Sequence, residues 1–515
     1  MYAKHRGSGA DTAPPLETHA SNFERNRSTT RVRASAWAVA ALAFALAACS
    51  NDNSSHPTSP KPATVNSFGV AANENSVLSA IASLDVSGAD SARVFYFAGS
   101  GAKQSTPWVA DLSSGHLAVL GLRPETEYSF YAEAAGGGTT VASDTVTFTT
   151  AALPTFLQTV FLSSDAPASF GYILTSIWDG STAYITAFDS AGQVAWYRAF
   201  PGGIPAEETK QQANGDFTVV LTTSHGGEQV PGQAVEVAPD GSVVRTFTAP
   251  DGSYFDGHEF WLLFDANGAY DGALMLQYTA RHLDLSGSGG PVDSLVTGHQ
   301  LVRQDASGAQ HVVFDAWDHF QLADNVEPTA GQLDFDHPNA ISIAPDGNYV
   351  MSWRNLDLIT KIDASTGDLI WTFGSTFAHH ASDFTITGDA LGGFSAQHGV
   401  RVLSDGNILV FDNGTRHVPS ASRAVEYQLD ESAHTATLVF QFKHVPPIYT
   451  NFTGSVQRFA NGNTMVGYTF GSATLVATEV TPDGDVVYEG TLHSGGSQTP
   501  YRFVKVRSLY GYEAP

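Results

Sequence analysis

This chain of 515 residues contains a single cysteine and few basic side chains. One cysteine cannot form a disulfide within the chain, so an exported fold must be held together by packing alone. Lys and Arg number 25 against 51 Asp and Glu, which gives a formal net charge of -26. That charge repels a phosphate backbone and argues against nucleic acid as a partner. An anionic small substrate would need a local group of cationic side chains.

Long apolar runs are also scarce. Arg31 and Arg33 precede the one candidate, Ala34 to Ala48, which is short for a membrane span and typical of a secretory signal. Its Leu-Ala-Ala-Cys ending resembles the bacterial lipobox, in which the cysteine is lipidated and becomes the mature N-terminus. We therefore expect a lipoprotein signal peptide over 1–48 and a lipid anchor on Cys49 that attaches the protein to the cell envelope, in the outer membrane where one exists. The alternative is a small buried cysteine in a weak apolar helix.

Nucleotide-binding signals are missing as well. The chain contains no G-x-x-x-x-G-K-[ST] phosphate loop, and no β-α-β pattern offers a helix N-terminus to a nucleotide phosphate. The sequence therefore predicts no nucleotide donor, and no other cofactor is expected.

The segment after the signal is polar and rich in Pro and Ser, which predicts a linker over residues 49–67. Short alternating strands follow over residues 68–153. Within them, GLRPETEYSFYAEA and SDTVTFTTAALP resemble a fibronectin type III domain through Leu122, Pro124, Thr126, Tyr128 and the closing strand to Thr150. The resemblance implies a β-sandwich that acts as a spacer or docking module.

From residue 155 to 515, short β-rich runs are separated by Gly-containing turns that join antiparallel strands, such as Asn267-Gly268, Asp346-Gly347 and Asp405-Gly406. Two hairpins per unit give about six four-stranded units, the pattern of a six-bladed β-propeller. A pair of β-sandwiches is the alternative. The expected fold class is all-β, an N-terminal sandwich followed by a propeller.

Three histidines stand at related places in this pattern. His258 and His337 each lie nine residues before the turn of their hairpin, and His398 lies seven before. Side chains alternate with period two along a strand, so these offsets point all three to the same face. The innermost strands of a propeller line its central channel, where the three imidazoles can converge. Arg354, after the turn that follows His337, falls at the same end of its hairpin.

Several stretches resemble the bacterial arylsulfate sulfotransferases, exported propeller enzymes that do not use the nucleotide sulfate donor: FDGHEFWLL, DFDHPNAISIAPDGNYVMSWRNLDLITKIDASTGDLIWTFG, FSAQHGVRVLSDGNILVFDNG, SRAVEYQLDE and GSVQRFANGNTMVGY. The resemblance implies a ping-pong transfer of a sulfuryl group from an aryl sulfate to a phenol. His398 matches the histidine that becomes sulfated, and His258, His337 and Arg354 match the other channel residues. Asn339 matches the Asn two places after the middle histidine, and Tyr501, in the closing strand, is predicted to face the channel.

The chemistry of these residue types agrees with that role. A neutral imidazole is a competent nucleophile, and an aryl sulfate offers a stable phenolate as leaving group. Arg354, Asn339 and a second imidazole can donate to the sulfuryl oxygens, and His258 can protonate the departing phenolate. The sequence departs from the family at Trp353, Asn355 and Gly399, which lie beside Arg354 and His398.

Two other functions fit the same residues. A non-catalytic propeller that binds an anionic ligand or partner needs the cations but no nucleophile. Three imidazoles and a water also make a hydrolytic zinc centre, although Arg354 disfavours a neighbouring metal ion. We expect no metal. Eight other histidines in this part of the chain are interpreted as loop residues, namely His225, His282, His299, His319, His379, His380, His417 and His444.

Overall fold

The computed structural model describes residues 61–222, 232–250, 253–327, 333–469, 474–494 and 500–512. The predicted signal peptide and Cys49 lie outside the described residues. Strands dominate the described residues, whose helical pieces are the short helix α1 (Ala316–His319) and four 3₁₀ turns at Phe156–Thr159, Ser286–Ser288, Leu322–Asp324 and Arg354–Leu356. The all-β class is confirmed. Within the described part of the chain, no helix has the length and apolarity needed to cross a membrane.

The first eight strands form two antiparallel sheets, with strand orders β1-β2-β5 and β4-β3-β6-β7, and with β8 paired to β6. One apolar cluster draws on both sheets, which therefore pack as a sandwich. β6 alternates buried and more exposed residues, as expected for a sheet with one face on a core. The strands are β1 (Thr64–Ala72), β2 (Ser79–Ser87), β3 (Ser91–Phe97), β4 (Gln104–Ser105), β5 (His116–Leu120), β6 (Glu127–Gly136), β7 (Thr139–Ala142) and β8 (Val146–Thr149).

The predicted end of the linker is wrong by four residues. β1 begins at Thr64, not after Ser67, and pairs with β2 from Thr64 onward. Val65 packs against the sandwich core, and this contact helps to order the polar segment 64–67. At the other edge of the sandwich, the Tyr128 hydroxyl accepts a hydrogen bond from the Arg123 backbone N–H at 2.9 Å, the tyrosine corner of immunoglobulin-like sandwiches. The fibronectin type III assignment itself stays a prediction.

The remaining strands form six successive sheets in the described part of the chain, each with four or five strands. The strands are β9 (Val160–Ser163), β10 (Tyr172–Trp178), β11 (Thr182–Phe188), β12 (Val194–Pro201), β13 (Ala206–Gln211), β14 (Phe217–Leu221), β15 (Gln233–Val237), β16 (Val243–Thr248), β17 (Tyr254–Phe264), β18 (Tyr270–Leu283), β19 (Ser294–Asp305), β20 (Gln310–Asp315), β21 (Leu333–Asp334), β22 (Pro338–Ile343), β23 (Tyr349–Trp353), β24 (Leu358–Ile362), β25 (Leu369–Gly374), β26 (Thr385–Thr387), β27 (His398–Val402), β28 (Ile408–Asp412), β29 (Arg423–Asp430), β30 (Thr435–Phe442), β31 (Ser455–Arg458), β32 (Thr464–Tyr468), β33 (Val476–Val480), β34 (Val486–Ser494) and β35 (Val504–Val506).

The six sheets close into a ring. The inner strands β13, β17, β22, β27, β31 and β35 contact one another in turn, and β13 also packs against β10. β35 pairs with β10, so the last strand completes the first blade, while β9 adds to the last blade beside β34. Central strands such as β14 are buried along their whole length, because each blade is covered on both faces by its neighbours. This is the organisation of a β-propeller.

The sandwich packs directly against the first two blades. Asn73 donates through Nδ2 to the Asp240 carbonyl at 2.7 Å, and the Tyr510 hydroxyl accepts from the Leu120 backbone N–H at 2.8 Å. Leu78 and Leu120 of the sandwich belong to apolar clusters of the propeller. The sandwich therefore shares a core with the first blades and is not suspended on a free linker.

Candidate active site

The three predicted histidines meet where the inner strands begin. The His258 and His337 rings are 4.7 Å apart between centroids, and the charges of both lower the pKa of His398. None sits in a regular part of a strand: the registers of β17 and β27 shift at His258 and His398, and His337 has a φ of 48°. The convergence was predicted, but irregular backbone produces it, and simple alternation does not.

Arg354 joins this group through the backbone and through its charge. Its N–H donates to the His337 carbonyl at 2.9 Å, which places the two residues side by side. Its guanidinium donates to Asn355 Oδ1 at 2.7 Å and to Glu327 Oε1 at 3.3 Å. After burial, the Arg354 charge is the largest cause of the lowered pKa of His398. One buried imidazole therefore faces a guanidinium and two further imidazoles.

His398 is buried and held at both ring nitrogens. Nδ1 lies 2.8 Å from Asn413 Oδ1 and 3.1 Å from the Ala396 carbonyl, and Nε2 accepts from the Thr453 backbone N–H at 3.1 Å. Burial lowers its pKa well below the usual range, and Arg354 lowers it further; the Asn413 hydrogen bond partly opposes them. His398 is therefore neutral around pH 7, with the lone pair on Nε2.

His258 has a carboxylate partner instead. Its Nδ1 lies 2.8 Å from Asp256 Oδ1, in a buried pair. Burial alone would raise the pKa of Asp256, but His258 and His299 lower it well below its ordinary value, so this carboxylate is ionised. An ionised carboxylate behind Nδ1 stabilises the imidazolium and orients the ring, as in the acid–base pairs of hydrolases.

His337 also has a carboxylate, Asp334, as its Nδ1 partner. Burial lowers the pKa of His337, and Asp334 opposes that effect in part. The pKa of Asp334 is about 2: burial would raise it, but the His337 charge and hydrogen bond lower it more. An anionic sulfuryl group in the channel would add a second negative charge near His337 and favour its protonated form.

The two predicted substrate-binding residues lie next to this group. Tyr501 is buried, with its ring 5.6 Å from that of His258. Asn339 is fully buried and donates through Nδ2 to the Gln397 carbonyl at 2.6 Å. That bond joins β22 to the residue before His398, so Asn339 supports the strand that carries His398. Its direct contact with substrate stays a prediction.

The three departures from the family have physical accounts. Trp353 is buried in the blade core, where Nε1 donates to Thr360 Oγ1 at 2.9 Å, so its bulk does not enter the site. Asn355 accepts from Arg354 and donates through Nδ2 to the Asp334 carbonyl at 2.8 Å. Gly399 has a φ of 61°, a backbone conformation that favours glycine.

Sequence reasoning missed the partners of the histidines. Asp256 and Asp334 lie two and three residues before His258 and His337, and an acidic residue so close upstream of a histidine was a usable signal. Asn413 lies 15 residues after His398 and no local pattern identifies it. His299, interpreted as a loop residue, lies buried in β19, where its Nδ1 bonds Asp336.

One group of described residues has spacing compatible with a cation: ligand atoms of His299, Asp334 and Asp336 lie within 4.8 Å of one another. It is not the three-histidine set considered from the sequence. In that set Nδ1 of each ring already has a side-chain acceptor: Asp256, Asp334 or Asn413. Such Nδ1 partners orient an imidazole whether or not its Nε2 binds a metal ion.

At the opposite end of the inner strands lies a cavity of about 530 Å³, lined by Lys210, Arg401 and Arg502 among others. Arg502 links the two ends. Its Nη2 donates to the carbonyls of His258 at 3.0 Å and Asn339 at 2.8 Å, and its Nη1 donates to Glu259 Oε2 at 2.9 Å. Lys210 and Arg401 also bind Glu259. We call Lys210, Arg401, Arg502, Glu208 and Glu259 the charged layer.

The sequence profile of the arylsulfotransferase (ASST) family matches residues 159–502, about two thirds of the chain. The chain belongs to the arylsulfotransferase family. Membership indicates arylsulfotransferase activity in general, with aryl sulfates and phenols as substrates. The matched region contains His258, His337, Arg354, His398 and Tyr501.

No curated protein matches the chain. Among solved structures, a Bacteroides caccae protein of unknown function is 12% identical with a TM-score of 0.42, covering 66% of this chain and 100% of its own. A catalytically inactive variant of virginiamycin B lyase from Staphylococcus aureus, solved with quinupristin, is 10% identical with a TM-score of 0.33, covering 64% of this chain and 98% of its own. Likenesses this distant carry no argument about the activity of this arylsulfotransferase family member.

Proposed function

We propose that this protein transfers a sulfuryl group from an aryl sulfate to a phenol in two steps through a sulfated His398. One observation carries the proposal: His398 is buried and neutral, with its lone pair on Nε2, and it faces Arg354, His337 and His258. A nucleophile needs the lone pair, and the sulfuryl oxygens need positive or donor groups around it. A protein that only binds anions gains nothing from a neutral buried imidazole.

In the first step, Nε2 of His398 attacks sulfur. The N–S bond forms, the S–O bond to the aryl group breaks, and its electron pair stays on the phenolate oxygen. His258, whose ring is oriented by Asp256 at Nδ1, gives this oxygen a proton. The Thr453 N–H now bonded to Nε2 is displaced by sulfur and can donate to a sulfuryl oxygen.

In the second step, the acceptor phenol gives its proton to the now neutral His258 and attacks sulfur. The N–S bond breaks and returns its electron pair to Nε2 of His398. Arg354 stabilises the charge on the sulfuryl oxygens in both steps, and His337 contributes to the extent that the bound anion favours its protonated form. His398 remains neutral between cycles, so each cycle starts from the reactive form.

The proposal is tested by mixing the protein with an aryl sulfate, without acceptor, nucleotide or divalent metal. We expect one phenol released per site, then a stall, and mass spectrometry should locate an acid-labile sulfuryl group on the peptide that contains His398. His398→Asn should remove the burst and the adduct while keeping the melting temperature. A label on another residue, or turnover by His398→Asn, would reject the assignment. Reversible aryl sulfate binding without an adduct would favour a non-catalytic binding protein.

We also propose that the mature protein begins at lipidated Cys49 and is attached to the outer membrane where the cell has one. The lipobox-like ending of the signal segment supports this proposal. Cys49→Ser should shift the protein from the membrane fraction to the soluble fraction without changing its melting temperature. Finding unmodified Cys49 in a membrane preparation would contradict it.

A further inference from the structure

The orientation of the Asn413 side chain is fixed on its nitrogen side. Its Nδ2 donates to the carbonyls of Thr450 at 2.8 Å and Thr453 at 2.9 Å, and the residue is fully buried. Turning the amide over would place its oxygen against two carbonyl oxygens in a site without water access, which is strongly unfavourable. The Asn413 oxygen must therefore face His398.

The direction of this amide decides which ring nitrogen of His398 carries the proton. A carbonyl oxygen only accepts, so Nδ1 at 2.8 Å must be the N–H. The Ala396 carbonyl, 3.1 Å from the same nitrogen, is also only an acceptor and therefore also requires a proton on Nδ1. The lone pair is left on Nε2, in agreement with the Thr453 N–H that donates to it.

The three channel histidines differ in the charge of these partners. Asp256 and Asp334 place a negative charge behind His258 and His337, whereas His398 has a neutral amide. The largest charge effects on the pKa of His398 come from Arg354, His337 and His258, and none of these three groups is negative. A carboxylate in place of Asn413 would stabilise the imidazolium, which has no lone pair with which to attack.

We propose that Asn413 is a positioning residue that holds His398 as the neutral Nδ1–H tautomer and so makes Nε2 the attacking nitrogen. The inference rests on the proposed function for its consequence in the reaction, but the tautomer can be measured without any activity. Asn413 additionally fixes the Thr450–Thr453 segment whose N–H lies at Nε2, so one side chain sets both the ring and its surroundings.

The direct test is nitrogen NMR of the full-length protein labelled with ¹⁵N-histidine. His398→Asn identifies the His398 signals by their loss. We expect the wild type to show a protonated Nδ1 and an unprotonated Nε2 from pH 6 to 8. In Asn413→Asp, both nitrogens should be protonated near neutral pH. A wild-type spectrum with the proton on Nε2, or an unchanged ring in Asn413→Asp, would overturn the inference whether or not the protein transfers sulfuryl groups.

The kinetic test is the pH dependence of the phenol burst. In Asn413→Asp, the acid-side midpoint should rise by about one unit or more, because an opposite charge stabilises the protonated ring. Asn413→Ala removes the acceptor without adding charge, so its burst should slow about tenfold with no rise in the midpoint. Asn73→Asp is the matched control: Asn73 is a buried amide that donates to the Asp240 carbonyl, away from the histidines, and its change should leave the midpoint in place. An equal rise in both Asp variants would overturn the inference, while a wild type without any burst would instead reject the proposed function.

Discussion

The two ends of the inner strands hold buried polar groups of opposite character. At one end, Lys210, Arg401 and Arg502 converge on Glu259, so groups of opposite charge are paired. At the other, His398 is neutral beside Arg354 and has a neutral amide partner. Burial therefore has two effects in one channel: it encloses paired charges that join neighbouring blades, and it keeps the His398 ring deprotonated.

The largest expected effect lies in the charged layer. Glu259→Gln removes the charge that three cations share, two of them buried, and breaking such a network costs about 3–5 kcal/mol of unfolding free energy. The burst per folded molecule should change less than about threefold if the two ends are separate in function. Chemical denaturation measures the first quantity and rapid mixing the second. Glu133→Gln, which breaks the partly exposed pair with Arg93, is the control and should cost under about 1 kcal/mol.

The next effect lies at the histidine end. Arg354→Ala should lower kcat by about 10² or more, because a positioned donor to the sulfuryl oxygens is lost, while the melting temperature changes little. Arg416→Ala is the matched control, since Arg416 also binds Glu327 but is not among the groups whose charge acts on His398. Equal losses of kcat in the two variants would show that disruption of Glu327 is the cause.

A smaller and more selective effect is expected from Asp256→Asn. The amide no longer stabilises the His258 imidazolium, so protonation of the departing phenolate becomes slower. The loss in kcat should be about tenfold for an aryl sulfate with a good leaving group, such as a nitrophenyl sulfate, and larger for one with a poor leaving group. A loss independent of the leaving group would assign His258 a role other than proton transfer.

The smallest effect concerns pH and stability. Burial raises the pKa of Glu208 to about 7, so the folded state prefers its protonated form. Stability from this group grows as pH falls from 7 towards the ordinary value near 4.5, whereas Glu259, with a pKa of about 2, loses its contribution only below 4.5. When the pH is lowered from 7.5 to 5, the melting temperature of the wild type should rise by roughly 1–3 °C more than that of Glu208→Gln. Parallel melting curves would contradict the raised pKa.

Much of the fold followed from turn chemistry. Gly-containing turns such as Asp346-Gly347 marked the hairpins in the sequence. A turn dipeptide of this kind specifies a hairpin locally, so the strands on either side of it could be predicted. The start of the sandwich was placed too late, because Thr64 to Ser67 is polar in composition and is ordered only by pairing with β2. The amino-acid composition of a segment reflects its own tendency to form a strand, but it does not show which neighbouring strand the segment pairs with.

The site was predictable in its histidines and arginine but not in its details. The positive φ of His337 and the register shifts at His258 and His398 are products of tertiary packing and leave no local signature. Asn413 reaches His398 across the hairpin of β27 and β28, a contact that depends on register. Its role as the neutral partner was therefore invisible until the strands were paired.

The last strand, β35, closes the ring of the propeller. Val504–Val506 pairs with Tyr172–Leu174, more than 300 residues earlier, so closing the ring joins nearly the two extremes of the propeller. Tyr501 and Arg502, which contact His258, arrive on the same segment. A nascent chain thus carries all three histidines long before it can assemble them, and the site is complete only when synthesis reaches the segment that closes the ring.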